Sequence, residues 1–184
     1  VKAEGEYAIF DYIGVMKDRK VAFVELKRSE AETQVAQTFE KVKLEVNIAV
    51  GTKALATSVT AEAFDPKLAV DGDPFTYWES TAKKFPQSLT VDLGEEKQVS
   101  KVALTLPPQD AWEARDQVIE VLGSTDGNSY TSLQSAKPYT FDPKQQNKVD
   151  IPLAQAVKQR FIRVTITSNT AWPAAQVSEF EVYE

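Results

Sequence analysis

The stretch "AVDGDPFTYWES", residues 69–80, sets Asp71, Asp73 and Thr76 around a glycine and then runs directly into Tyr77, Trp78 and Glu79. Its residue types suit a turn, a metal loop or the lip of a binding site. Taken locally, Asp71-Gly72 is a turn former. Two absences narrow the chemistry further. The chain has no cysteine, so it has no disulfide framework, no thiolate zinc site and no cysteine nucleophile. It also has no histidine, which removes the usual general base, the Ser-His-Asp arrangement and most transition-metal sites. An active site would have to run on Asp, Glu, Lys, Tyr or Arg. No Asp/Glu pair stands out from turn and surface positions as the two carboxylates of a glycosidase would. The sequence therefore reads as non-enzymatic. Hard oxygen ligands are plentiful, so calcium stays open, although the spacing is not that of an EF-hand loop.

The elements that must position these residues follow from composition and periodicity. A chain of 184 residues is one large domain or a domain with an appendage. With 42% hydrophobic and 26% charged residues it can bury an ordinary core. No apolar run approaches the ~20 residues of a membrane span. A net charge of −6 argues against nucleic acid and anionic membrane as partners. The chain opens at Val1 without methionine or signal peptide, which is expected of a mature product or of a piece of something longer.

After residue 50 short apolar runs alternate with turn chemistry. Strands are expected over 88–94, 99–107, 118–124, 148–153, 160–167 and 178–184. Leu89, Val91 and Leu93 share one face, and Ile162, Val164 and Ile166 another. "GEEK", "STDGNSY" and "FDPKQQNK" read as turns, the Asp126-Gly127 pair most strongly. The pattern predicts an all-β sandwich over 51–184. Residues 1–50 form a small β-rich appendage or the tail of a preceding domain. Two strands flank "MKDRK", and "FEKVKLEVNIAV" (39–50) alternates Val42, Leu44, Val46, Ile48 and Val50. "SEAETQVAQTF" (29–39) is a short helix or an extended stretch. The stretch 49–58 is the expected join.

Four motifs, "KALATSVTAEAFDPKLAVDGDPFTYWES", "LTVDLGEEKQVSKVALTLP", "VIEVLGSTDGNSYTSL" and "RFIRVTITSNTAWPAAQVSEFEVY", occur in an order that resembles the discoidin (F5/8 type C) family. That family includes the family 32-type carbohydrate-binding modules of secreted bacterial polysaccharide-degrading enzymes. The resemblance covers about 53–184. It implies a jelly-roll-like β-sandwich that binds polysaccharide or oligosaccharide non-catalytically and holds an attached glycoside hydrolase or surface protein close to glycan. A monomeric module within a larger chain, secreted or at the bacterial cell surface, is expected. The alternative is recognition of a protein or membrane surface by a discoidin domain.

The resemblance also implies a structural calcium ion. Carried over position by position, Asp71 and Glu179 supply carboxylates, and Thr76 its hydroxyl and carbonyl. Asp73, Leu68 and Ser178 supply main-chain carbonyls, a donor set that suits Ca²⁺. Sugar rings present apolar faces bordered by hydroxyls, so a sugar site wants an aromatic platform beside fixed polar groups. Trp78, at a strand start, reads as a core anchor. Trp112 and Trp172 lie in loops and are candidates for the platform, with ordinary surface aromatics as the alternative. Arg115 offers a planar fork for paired oxygens, or else a surface ion pair with Glu113 or Asp116. Glu79 can accept from hydroxyls, and Asn169 can both donate and accept. Many family members carry a histidine near the first loop; its absence argues against a galactose-type pocket.

Overall fold

Period-two alternation broken by Gly, Pro and Asp dictates strands that bury one face, and such strands make up the fold. The computed structural model describes residues 2–4, 7–9, 13–17, 20–24, 45–109 and 111–184. Contacts divide the chain into two units, Val1–Leu44 and Glu45–Glu184. In the first, β1 (Lys2–Glu4) pairs antiparallel with β2 (Tyr7–Ile9), and β3 (Ile13–Lys17) with β4 (Lys20–Val24). The latter two are the strands expected on either side of "MKDRK". The stretch 29–39, helix or extended, lies outside the described residues.

The strand expected over 39–50 is corrected where it is described. Residues 48–50 turn, and Val46 and Val50 are exposed. Asn47 is the reason: its side-chain carbonyl accepts from Ala49 N and Val182 N, both at 3.0 Å, in place of a ladder. Ile48 N donates to Val182 O at 2.9 Å, and Ala49 is buried in the core.

The second unit is built on two long strands, β7 (Gln87–Thr105) and β10 (Lys148–Asn169), paired with each other along most of their length. Each fuses two of the expected strands. β5 (Lys53–Ala56), inside the expected join, pairs with the first half of β7. The second half of β7 pairs with β12 (Glu179–Tyr183). The second half of β10 pairs with β8 (Arg115–Ser124), which pairs in turn with β9 (Thr131–Phe141). "GEEK" is not a hairpin turn but the crossing between layers: Lys97, Gln98 and Val99 still pair with β10, across two register shifts. Gly94 takes a φ of +83° there, a value only glycine adopts without strain.

β9 went unread because it lies at the sheet edge and buries little more than Phe141. Pro138 is tolerated there for the same reason.

Between the layers Leu89, Val91, Leu104, Ile119, Val121, Ile162, Val164, Ile166, Phe180 and Val182 are fully buried. The faces read from the alternation are the faces that point inward. Trp78 is also fully buried, as expected of an anchor, and its indole N–H donates to Ser58 O at 3.0 Å. It sits on β6 (Trp78–Glu79), which pairs with β11 (Gln176–Val177). In this two-rung ladder Trp78 faces Val177 and Glu79 faces Gln176. Alternation thus sends Trp78 and Val177 into the core and turns Glu79 and Gln176 to the other side. That small ladder places the site.

Candidate functional site

A cleft of about 290 Å³ opens among three segments: the lead-in to β6, the loop between β7 and β8, and the loop between β10 and β11. Tyr77, Glu79, Trp112, Arg115, Trp172 and Gln176 line it, with Ala111, Glu113 and Ala171. The fold therefore brings together Glu79, Trp112, Arg115 and Trp172 of the five residues considered for sugar contact.

Asn169 is not in the lining. Its side-chain carbonyl accepts from the N–H groups of Ala171 and Trp172, both at 3.2 Å, and its amide donates to Ala174 O at 3.0 Å. It braces the loop that carries Trp172. Trp172 stands 47% exposed on that loop, unusual for so large an apolar ring.

The floor is a linked polar chain. Gln176 Nε2 donates to Glu79 Oε2 at 2.8 Å, while Gln176 Oε1 accepts from Arg115 Nη1 at 3.0 Å. Arg115 Nε donates to the Glu113 main-chain carbonyl at 3.0 Å, so the surface ion pair weighed for Arg115 is not the contact formed. Glu79, Arg115 and Gln176 are all buried. Burial lowers the guanidinium pKa, with the Glu113 charge acting in the opposite sense.

The Trp112 ring lies 5.0 Å from the Arg115 guanidinium carbon and 4.8 Å, edge-on, from Tyr77. Tyr77 in turn contacts Phe64 at 5.0 Å. Burial, and secondarily the Glu79 charge, raise the Tyr77 pKa, so its hydroxyl keeps its proton. Tyr77 and Gln176 were missed in the sequence. The signal that finds Tyr77 is its place one residue before an inward Trp78, which puts it on the Glu79 side.

The aspartate loop forms a second feature. Thr76 Oγ1 lies 2.8 Å from Asp71 Oδ2, 3.1 Å from Asp73 O and 3.5 Å from Leu68 O. The hydroxyl proton can serve one of these acceptors at a time, while Asp73 O also accepts from Thr76 N at 3.2 Å and the Asp71 carboxylate from Asp73 N at 2.9 Å. Gly72 curls the chain at φ +81° to bring these oxygens together. Glu179, buried at the start of β12, has its Oε1 without a hydrogen-bond partner. Its pKa is raised to about 7 by burial first, then by the Asp71 and Glu181 charges. The Ser178 hydroxyl lies 3.0 Å from Thr105 Oγ1 and donates to Pro74 O at 3.1 Å, fastening the loop to β12. Among the described residues no three acidic, His or Cys side chains converge; this cluster has two carboxylates and otherwise neutral oxygens. A buried carboxylate with an orphaned oxygen, beside the exposed Asp71 carboxylate, fits a divalent cation.

An antiparallel sandwich with a cleft among its end loops, an aromatic rim and a polar floor defines a recognition domain. The chain belongs to the F5/8 type C domain family, whose model matches residues 53–180. The resemblance read from the four motifs and the discoidin-like sandwich both hold.

The chain is 34% identical over 118 residues to the polysaccharide lyase 8 family protein HylA of Enterococcus faecalis (strain ATCC 700802 / V583). That match covers 63% of this chain and 8% of the lyase, so the chain spans under a tenth of that relative's length. Among solved structures it resembles chitosan-binding module 1 of a chitosanase/glucanase from Paenibacillus sp. IK-5. There the identity is 27% and the TM-score 0.61, over 76% of this chain and 99% of that one. Module 2 of the same enzyme, solved with chitotriose, gives 26% identity and a TM-score of 0.60 over 75% and 100%. A family 32 module from Clostridium perfringens, solved with GalNAc-β-1,3-galactose, gives a TM-score of 0.64 at 21% identity over 76% and 100%, a likeness of fold.

Proposed function

We propose that residues 45–184 bind polysaccharide without chemically altering it, in the cleft bounded by Trp172 and Trp112, and so hold a larger secreted bacterial polysaccharide-degrading enzyme against its substrate. The observation that carries this is Trp172, held half-exposed on a braced loop above a buried polar chain of Glu79, Gln176 and Arg115. An apolar ring face can lie on the indole while the ring's hydroxyls meet the carboxylate and guanidinium. The relatives named above support the same reading. Contact with a single site is weak, because a shallow polar interface recovers little after ordering costs, and strength comes from multivalency.

A calcium ion belongs to this proposal. Asp71 and Glu179 would hold it with the Thr76 hydroxyl and the carbonyls of Thr76, Asp73, Leu68 and Ser178. Bound there, the ion supplies positive charge that ties the first loop to the last strand and keeps the cleft's lip in place.

The test is titration of a panel of soluble α- and β-glucans, galactans and host-type glycans, with and without chelator. Saturable binding to at least one glycan is expected, lost on Trp112→Ala with Trp172→Ala. Absence of binding to every glycan, with binding to a protein or vesicle instead, would move the domain to surface recognition.

A further inference from the structure

The Trp172 loop has a second neighbour outside the cleft. Past β6 the chain keeps running beside it: Ser80 N donates to Ala175 O at 3.0 Å and Lys83 N to Pro173 O at 2.7 Å. Lys83 is thus held against the residue that follows Trp172, with Lys84 next to it, yet neither lysine lines the cleft. Lys83 comes four residues after Glu79, so it lies no more than about 14 Å from the cleft floor. The segment is braced. Thr81 N donates to Ser58 Oγ at 3.0 Å, and Lys84 O accepts from Gln87 Nε2. The side-chain carbonyl of buried Gln87 accepts in turn from the Thr57 and Ser58 hydroxyls, at 2.6 and 2.7 Å. Lys83 takes a φ of +59°, a left-handed backbone that a lysine adopts where its surroundings impose it. Both lysines are exposed. Lys97, Lys101, Lys148 and Lys158 face carboxylates, but among the described residues the ammonium groups of Lys83 and Lys84 have no ion pair, hydrogen bond or ring contact.

Resting on the binding reading above, we propose that Lys83 and Lys84 form an anion subsite beside Trp172 that takes a sulfate ester on a sugar residue next to the one in the cleft. The domain then prefers a sulfated polysaccharide to its unsulfated form. Two adjacent ammonium groups are compact charges with six donors between them, and they suit the three terminal oxygens of a tetrahedral ester. A planar carboxylate is better matched by a guanidinium fork. The ester also projects beyond its ring, which lets it reach the lysines while the ring stays on Trp172. Because the backbone is already braced, contact orders only the two side chains. The net charge of −6 repels a polyanion at long range, so the preference rests on these close contacts and not on the overall field.

The experiment is calorimetric titration of the intact chain, in low salt with calcium present. The probes are hexamers of a galactan and of a β-glucan, each sulfated and unsulfated, with a galacturonate hexamer and inorganic sulfate. A sulfated hexamer is expected to bind about three- to ten-fold tighter than its unsulfated partner, the scale of two exposed ion pairs. Raising salt should shrink that margin. Lys83→Gln with Lys84→Gln should abolish the margin while leaving unsulfated binding and Tm unchanged. Lys144→Gln, at an exposed lysine in the turn at 143–145, should leave the margin intact. Trp172→Ala should weaken sulfated and unsulfated forms alike. Equal affinity for the two forms, with Trp172→Ala still damaging, would overturn the subsite and leave the glycan reading standing. A margin that survives the double lysine variant would do the same. Galacturonate hexamer or inorganic sulfate binding as tightly as a sulfated hexamer would show that charge alone is read and would also overturn the proposal. No glycan binding at all overturns both.

Discussion

With the proposed calcium site empty, this domain's stability should depend on pH in a window where it otherwise has no reason to. Glu179 is raised from 4.5 to about 7, by burial first and by Asp71 second. A raised folded-state pKa means that the folded protein holds the proton more tightly than the unfolded chain. The associated stability is complete below about 4.5 and is lost as pH rises through about 7. At about 1.4 kcal/mol for each pH unit of displacement, the metal-free domain loses about 3 kcal/mol across that range. For a domain of this size that lowers Tm by roughly 6–12 °C between pH 5 and pH 8.

A bound cation reverses the preference, because it holds Glu179 ionised beside Asp71 and removes the penalty. The chain has no histidine, so no other side chain of ordinary pKa titrates between pH 5 and 8. The assay is thermal unfolding in chelator and in millimolar calcium at each pH. The two Tm values should lie close at pH 5 and diverge steadily toward pH 8. Glu179→Gln should flatten the chelator curve and blunt the calcium response together. A chelator curve already flat in the wild type, or a calcium effect equal at both pH values, would refute the reasoning.

Other outcomes follow from the same geometry. Trp172→Ala removes a half-exposed ring that covers no core, so Tm should hold within about 1 °C while glycan affinity falls ten-fold or more. Trp78→Ala vacates the largest fully buried side chain among the described residues and orphans Ser58 O, and should cost about 3–5 kcal/mol by denaturant unfolding. Gln176→Ala cuts the link between Glu79 and Arg115, both of them buried, and should weaken glycan binding about ten-fold without altering the calcium shift in Tm. Asn169→Ala should weaken binding less than Trp172→Ala does, because Asn169 acts only through the loop it braces.

The sequence made the strands legible wherever a strand buries one face. Leu89, Val91 and Leu93 alternate because they line the core, and so do Ile162, Val164 and Ile166. It stayed silent on β9, whose edge position leaves no periodicity to read. It misled at "GEEK", where glycine and charge mark a bend on the outside of a continuous strand rather than its end. At the cleft, the tryptophans and Arg115 stand out by type and by loop context. Gln176 does not, because a glutamine shows its value only when β11 is paired to β6 and its two ends are seen to bridge a carboxylate and a guanidinium. Asn169 was readable as a polar loop residue, but which way it faces is set by the turn it closes.

The central claim is that glycan binds in the cleft between Trp112 and Trp172. The chain's three tryptophans give three indole N–H resonances, one of them from the fully buried Trp78. During titration with a bound oligosaccharide, heteronuclear spectra should show the Trp112 and Trp172 indole signals moving together to saturation while the Trp78 signal stays. Saturable shifts that leave Trp112 and Trp172 untouched and fall on another face of the sandwich would contradict the account.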